Sequence, residues 1–354
     1  EDLIKSCKEI EGLFGHSFLD IEFAFNKKGT LFILQVRPIV TVYKEDLSSI
    51  DLVGELGKVS KFIKKNSSKR NGLLGDSVIY GVMPDWNPAE IIGLKPKPLS
   101  LSLYKELITD KVWSQQRYNY GYRDLRSFPL MTSLTGMPYI DCRVDFNSFV
   151  PRDISKKTAE KLVNYYLNKL KENPSFHDKV EFEIIQSCFH FNINKRLDEL
   201  SNNGFTKKEI NSIRNSLLKT TNHIINPQNG LYVKDTEAVK ILEAKHKEVL
   251  DSNISEHKKI EQLIKYCKKY GTLPFAGIAR SAFIATQLLR SLVEVKIISQ
   301  DDYNSYMNSL STVAKHMNND LYDYSKNKIS KRNLFNKYGH LRPGTYDILS
   351  PRYD

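Results

Sequence analysis

Cysteine is scarce and scattered: Cys7, Cys142, Cys188 and Cys267 lie far apart and form neither a CxxC pair nor a Cys/His metal spacing. Neither a disulfide framework nor a zinc site is indicated, and the expectation is a reducing, cytoplasmic setting. Long apolar runs are also missing. The most apolar stretch, residues 271–292, is interrupted by Arg280 and Arg290, which argues against a membrane span, and no secretory leader pattern opens the sequence. There is no internal repeat and no low-complexity tract, and no Ser or Cys nucleophile is arranged with a histidine.

What is present is a chain of 354 residues, 40% of them apolar, long enough for a sizeable core and for two domains. Lysine plus arginine (53) exceed aspartate plus glutamate (41), a net charge of +12 that suits nucleic acid, an anionic surface or a phosphate-bearing small molecule. The basic residues are spread out. Their longest cluster, Lys64 to Arg70, sits in a polar, linker-like stretch and reads as a solvated face. With no nucleic-acid module and no long basic stripe, nucleic acid is not expected as a partner. A basic binding module for RNA or an anionic polymer remains the rival from another functional class.

The texture of the chain changes along its length. Asp20 to Phe25, then Asn26-Lys27-Lys28-Gly29, then Leu31 to Val36 reads as strand, turn and strand. Residues 70–150 are rich in proline, glycine and aromatics with little period. Beyond 150 the spacing predicts helices over 155–172, 178–202, 206–222, 235–251, 255–270, 274–297, 299–319 and 328–338. The expected fold class is mainly α, a helical domain preceded by a β-hairpin.

In the second strand, alternation puts Ile33, Gln35 and Arg37 on one face and Leu34 and Val36 on the other. If the hairpin register brings Glu22 beside Gln35, that face offers a carboxylate and an amide oxygen, the hard donors Mg²⁺ prefers, with Arg37 nearby to hold a phosphate. A sheet edge whose polar residues simply face water accounts for the same pattern.

The run Asp20-Ile21-Glu22-Phe23 followed by Leu31-Phe32-Ile33-Leu34-Gln35-Val36-Arg37-Pro38 resembles the end of the ATP-grasp domain in the phosphoenolpyruvate synthase, pyruvate phosphate dikinase and rifampin phosphotransferase family. The resemblance implies that Glu22 and Gln35 are metal or phosphate ligands, that Arg37 contacts phosphate, and that the cofactors are ATP and Mg²⁺. A second stretch, Tyr338-Gly339-His340-Leu341-Arg342-Pro343-Gly344-Thr345-Tyr346-Asp347 followed by Pro351-Arg352-Tyr353, resembles a segment near the end of the helical acceptor-binding domain in rifampin phosphotransferase-like members. It marks His340 and Arg342 as candidate catalytic residues.

Members of that family move a phosphoryl group from ATP through a histidine on a swivelling domain to a small acceptor, releasing AMP and phosphate. The resemblance therefore implies three parts here. Residues 1–42 are the end of the ATP-grasp domain, 43–75 a linker and 76–354 the acceptor domain. The front of the ATP-grasp domain and the phosphohistidine domain are absent, so this stretch alone is expected to be inactive. The helical middle resembles members that phosphorylate small molecules other than pyruvate, among them the amide of L-glutamine, with pyruvate as the alternative acceptor.

Several residues are candidates for the acceptor. Arg117 and Arg123 sit in Arg117-Tyr118-Asn119-Tyr120-Gly121-Tyr122-Arg123-Asp124-Leu125-Arg126, where cations and aromatic rings interleave as in a pocket wall. Arg280 and Gln287 interrupt an apolar helix and lie two turns apart on one face, so Arg280 must find an internal ion pair or a ligand. Asn87 before Pro88 reads as a helix cap, and Tyr139 to Phe146 alternates like a half-buried strand carrying Asp141 and Arg143.

Overall fold

The computed structural model describes residues 2–15, 18–38, 51–341 and 352–354. The chain is mainly helical, with a small antiparallel hairpin near its start. A helix at Asp2–Phe14, which the sequence reading missed, precedes strands β1 (Leu19–Phe25) and β2 (Leu31–Pro38). Asn26 builds the turn between them by accepting from the Lys28 and Thr30 amides, and Gly29 takes the left-handed conformation the turn requires (φ 79°). Phe23, Phe25, Phe32 and Leu34 are exposed, so the hairpin leaves apolar surface uncovered.

Within the stretch expected as a linker, residues 52–66 form a helix whose C-terminal carbonyls are met from outside. Arg143 Nη2 donates to Asn66 O (2.6 Å) and Nη1 to Ser68 O (3.3 Å). The Cys142–Ser148 helix that carries Arg143 is the centre of the molecule, and all seven of its residues are buried. The expected strand therefore stops early. β5 (Met137–Asp141) ends at Asp141, whose carboxylate accepts from the Arg143 and Val144 amides and starts a helix in its place. Alternating hydrophobicity carries no information where both faces are buried, and Asp141 and Arg143 act as helix caps. Arg143→Met should uncap the 52–66 helix, at a cost of about 1 kcal/mol. Faster amide exchange confined to residues 63–68 is the check, and unchanged exchange would refute the capping role.

β5 pairs antiparallel with β4 (Met131–Leu134) on one side and the short β3 (Tyr80–Gly81) on the other. Asn147 ties the neighbouring loop down like a strand partner, accepting from Leu74 N and donating to Leu74 O. Around the central helix, Phe146, Phe149 and Val150 pack with Leu162, Tyr166 and Leu167 of the Lys156–Glu172 helix and with Ile213 and Leu217 of the Lys207–Ile225 helix. On its other side Val144 joins Trp113, Leu125, Leu130 and Ile140.

Two expected helices are interrupted and two others are joined. Residues 178–202 contain a π-turn, Val180–Ile184, followed by irregular chain and then the Ile193–Asn202 helix. The helices expected over 255–270 and 274–297 form one rod in which Glu256–Tyr266 passes through a π-turn, Cys267–Thr272, into Leu273–Glu294. Residues 299–319 split into Gln300–Ser309 and Val313–Ser325, because Thr312 caps a new helix by accepting from the Lys315 amide. A third π-turn, Lys105–Thr109, continues the Pro98–Tyr104 helix. No helix among the described residues is long and apolar enough to cross a membrane.

Candidate functional site

A cavity of about 330 Å³ opens where the 83–87 turn, the Val112–Asn119 helix, the Val180–Ile184 π-turn and the Leu273–Glu294 helix meet. Arg117 and Arg280, separated by 163 positions, both line it. The Leu273–Glu294 helix presents Gly277, Arg280, Ile284, Gln287 and Ser291 inward at three- and four-residue spacing, which places the cation on the buried face.

Both guanidiniums are buried and partnered. Arg280 Nη2 lies 2.6 Å from Glu181 Oε2, an ion pair short of an aligned hydrogen bond, and its guanidinium stands over the rings of Phe149 and Phe283, 5.3 Å from each centroid. Arg117 Nη2 reaches Asp85 Oδ2 at 3.2 Å and Glu181 Oε1 at 3.9 Å, with its guanidinium 4.1 Å over Phe149. Burial disfavours the charge on Arg280, but the surrounding groups, Glu181 first among them with Tyr122 and Cys188, together outweigh it and hold the proton more tightly than usual. Gln287 does not line the cavity. Its Nε2 donates to the Glu181 backbone carbonyl at 3.3 Å and anchors the turn that carries the acid.

A third acid completes the cluster. Asp145, on the central helix, is fully buried, and neither carboxylate oxygen meets a hydrogen-bond donor. Its acidity falls far below that of an ordinary carboxyl, first through burial and then through the nearby charges of Asp85 and Glu181, which Arg117 offsets only in part. A proton retained on Asp145 lets it hydrogen-bond to the Asp85 carboxylate. With Asp145 neutral, Asp85 and Glu181 balance Arg117 and Arg280, and the cluster carries no net charge.

The wall is aromatic. Trp86 and Phe275 lie 6.4 Å apart, and Phe182 and Phe283 5.4 Å apart. Trp86 holds a left-handed backbone (φ 51°), strained for a bulky side chain by about 1–3 kcal/mol. Hydrogen bonds fix that turn from both sides: Asp85 accepts the Trp86 amide at 3.0 Å, and the Tyr104 hydroxyl donates to the Trp86 carbonyl. Asn87 then caps the short Pro88–Ile91 helix by accepting the Glu90 amide, as its sequence context indicates.

Of the residues singled out from the sequence, Arg117, Arg280 and Gln287 are therefore brought together around Glu181. Arg123 lies apart, donating to the Gly72 carbonyl at 3.1 Å, and burial weakens its hold on its proton. His340 is exposed in the turn after the Lys331–Tyr338 helix and does not line the cavity. Arg342 lies outside the described residues. The acids Asp85, Asp145 and Glu181 were missed.

On the hairpin the register places Glu22 directly opposite Gln35 and Asp20 opposite Arg37, so these four share one face. Strict alternation fails at Leu34. Phe23 pairs with Ile33, which puts a bulge at Leu34 and moves Ile33 off the face of Gln35. Arg37 Nε donates to Asp20 at 2.7 Å and its Nη2 lies 3.6 Å from Glu22. Glu22 and Gln35 supply hard oxygen donors suited to Mg²⁺, whose remaining ligands ordinarily come from phosphate and water. Among the described residues no group of three or more His, Cys, Asp or Glu side chains is placed to hold a metal ion.

Comparison of the chain with protein-family models, with curated proteins and with solved structures finds no match in any of the three.

Proposed function

We propose that this chain is the acceptor-binding part of an ATP-dependent phosphotransferase, and that the cavity lined by Asp85, Arg117, Glu181 and Arg280 holds the phosphoryl acceptor. The observation that carries the reading is convergence: Arg117, marked in the sequence by its interleaved aromatic rings, and Arg280, marked as a charge in an apolar helix, meet at one cavity with aromatic walls. Perturbed, buried ionisable groups clustered at a cleft are the expected signature of such a site.

An electroneutral cluster of two guanidiniums and two carboxylates suits a small acceptor that is itself neutral or zwitterionic. L-glutamine meets that requirement: its carboxylate can engage the arginines, its ammonium the acids, and its amide is the group phosphorylated. Pyruvate, a net anion, fits it less well. In this reading the hairpin is the end of an ATP-grasp domain. Glu22 and Gln35 would hold Mg²⁺, Arg37 would hold a phosphate of ATP, and the metal would neutralise charge on the phosphates. His340 and Arg342 are assigned to the catalytic segment on resemblance alone.

The test is phosphorus NMR on the polypeptide that joins this chain to an ATP-grasp front and a phosphohistidine domain, incubated with Mg-ATP and then with L-glutamine or pyruvate. AMP, phosphate and a new acceptor resonance are expected with L-glutamine. ADP as the sole nucleotide product, or no reaction with either acceptor, would overturn the proposal. Glu181→Gln, assayed where circular dichroism shows the variant folded, should cut acceptor turnover by about 100-fold while leaving histidine phosphorylation intact, and equal loss of both steps in the folded variant would remove Glu181 from the acceptor site.

A further inference from the structure

A second cavity, of about 650 Å³, shares no lining residue with the acceptor cavity. It opens between the Lys105–Thr109 and Cys267–Thr272 π-turns, which pack against each other and are bridged by the Lys268–Glu106 ion pair at 2.6 Å. π-Turns are rare and gather at functional sites. In this molecule the third one carries Glu181 of the acceptor cluster.

The lining has two chemistries. Val112, Ile264 and Leu273 give an apolar floor, and Lys111, Lys265, Lys268, Lys269 and Arg126 stand around it, against the acids Glu106 and Glu261. Three of these cations are engaged: Lys268 with Glu106, Arg126 with Asp124, and Lys269 over the Tyr270 ring. Lys111 and Lys265 are exposed, and neither makes a salt bridge or side-chain hydrogen bond among the described residues. The Val112–Asn119 helix starts at this wall with no side chain capping it. An apolar floor demands an apolar body in its occupant, and an excess of cations with two left over demands an anionic group.

We infer that this cleft binds an amphipathic organic anion, with Lys111 and Lys265 meeting its anionic group and Val112, Ile264 and Leu273 its apolar body. Two sources carry that chemistry, a nucleoside monophosphate and an alkyl phosphate. The inference is independent of the acceptor reading, because no residue is shared and the test needs neither ATP nor an acceptor.

The test uses the fluorescent probe anilinonaphthalene sulfonate, an aromatic body with one anionic group, on the whole chain. The double variant Lys111→Glu/Lys265→Glu, at exposed positions that leave the core untouched, should weaken probe affinity about tenfold or more. Lys111→Gln/Lys265→Gln should weaken it less, and circular dichroism checks that both remain folded. Adenosine monophosphate and decyl phosphate are then competed against the probe on the unsubstituted chain, and whichever displaces it names the source. Unchanged probe affinity in the charge-reversed variant, or displacement by neither competitor, overturns the inference.

Discussion

Arg280→Ala is expected to lower the stability of the fold by about 3–5 kcal/mol, because it strands a buried carboxylate. Glu181 would lose its 2.6 Å partner and keep only Arg117 at 3.9 Å, in a site where Arg280 is 1% exposed. Removing both charges is a different matter. Replacing Arg280 by Met and Glu181 by Leu in one chain exchanges an ion pair for apolar contact with Phe149 and Phe283, and should recover most of the loss. Urea unfolding of Arg280→Met, of Glu181→Leu and of the double variant measures the coupling directly. Additive losses would mean that the two groups do not interact across the buried interface.

Asp145→Asn is expected to stabilise the protein, by an amount that grows with pH. The Asp145 carboxyl holds its proton in the fold far above the pH at which an unfolded aspartate loses it. Below about pH 4 both states carry the proton and the group contributes no pH dependence. Between that point and its raised folded value, only the unfolded state ionises. Stability then falls by about 1.4 kcal/mol per pH unit on account of this group alone. Asparagine copies the neutral acid in shape and in its ability to donate to Asp85, and has no proton to lose. Unfolding free energies of the two proteins should therefore coincide near pH 4 and separate steadily towards neutrality. A constant difference across that range would mean that Asp145 is ionised in the fold.

Helices that announce themselves locally were legible in the sequence. Ser155 caps Lys156–Glu172, Thr206 with Glu209 forms a capping box, and Ser299 with Asp302 forms another, each within four residues of the helix it starts. The hairpin and its turn were legible for the same reason, since the turn is self-contained, but its register was left open and the bulge at Leu34 was not foreseen. The central helix was not, because burial on every side erases the polar face that defines helical period. The π-turns insert a residue without changing composition, so periodicity alone cannot find them. At the site, Arg117, Arg280 and Gln287 stood out as polar residues in apolar or aromatic surroundings. Asp85, Asp145 and Glu181 did not, because what distinguishes them is mutual proximity across the fold, joining residues 60 and 36 positions apart. Asp145 falls in the stretch read as a continuation of the strand, which ends at Asp141 and gives way to the buried helix.

The rod from Glu256 to Glu294 serves both cavities: Ile264 and Lys265 of the basic cleft precede its π-turn, Lys268 and Lys269 lie within it, and Leu273 and then Arg280 of the acid–guanidinium cluster follow it. Each residue added to or taken from a helix rotates everything beyond it by about 100°. The extra residue in Cys267–Thr272 thus acts as a phase setting between the basic cleft and the acid–guanidinium cluster. Shortening that turn by one residue outside the linings would leave Ile264, Lys265, Arg280 and Glu181 all in the sequence and swing Arg280 away from Glu181 for as long as Ile264 and Lys265 kept their places.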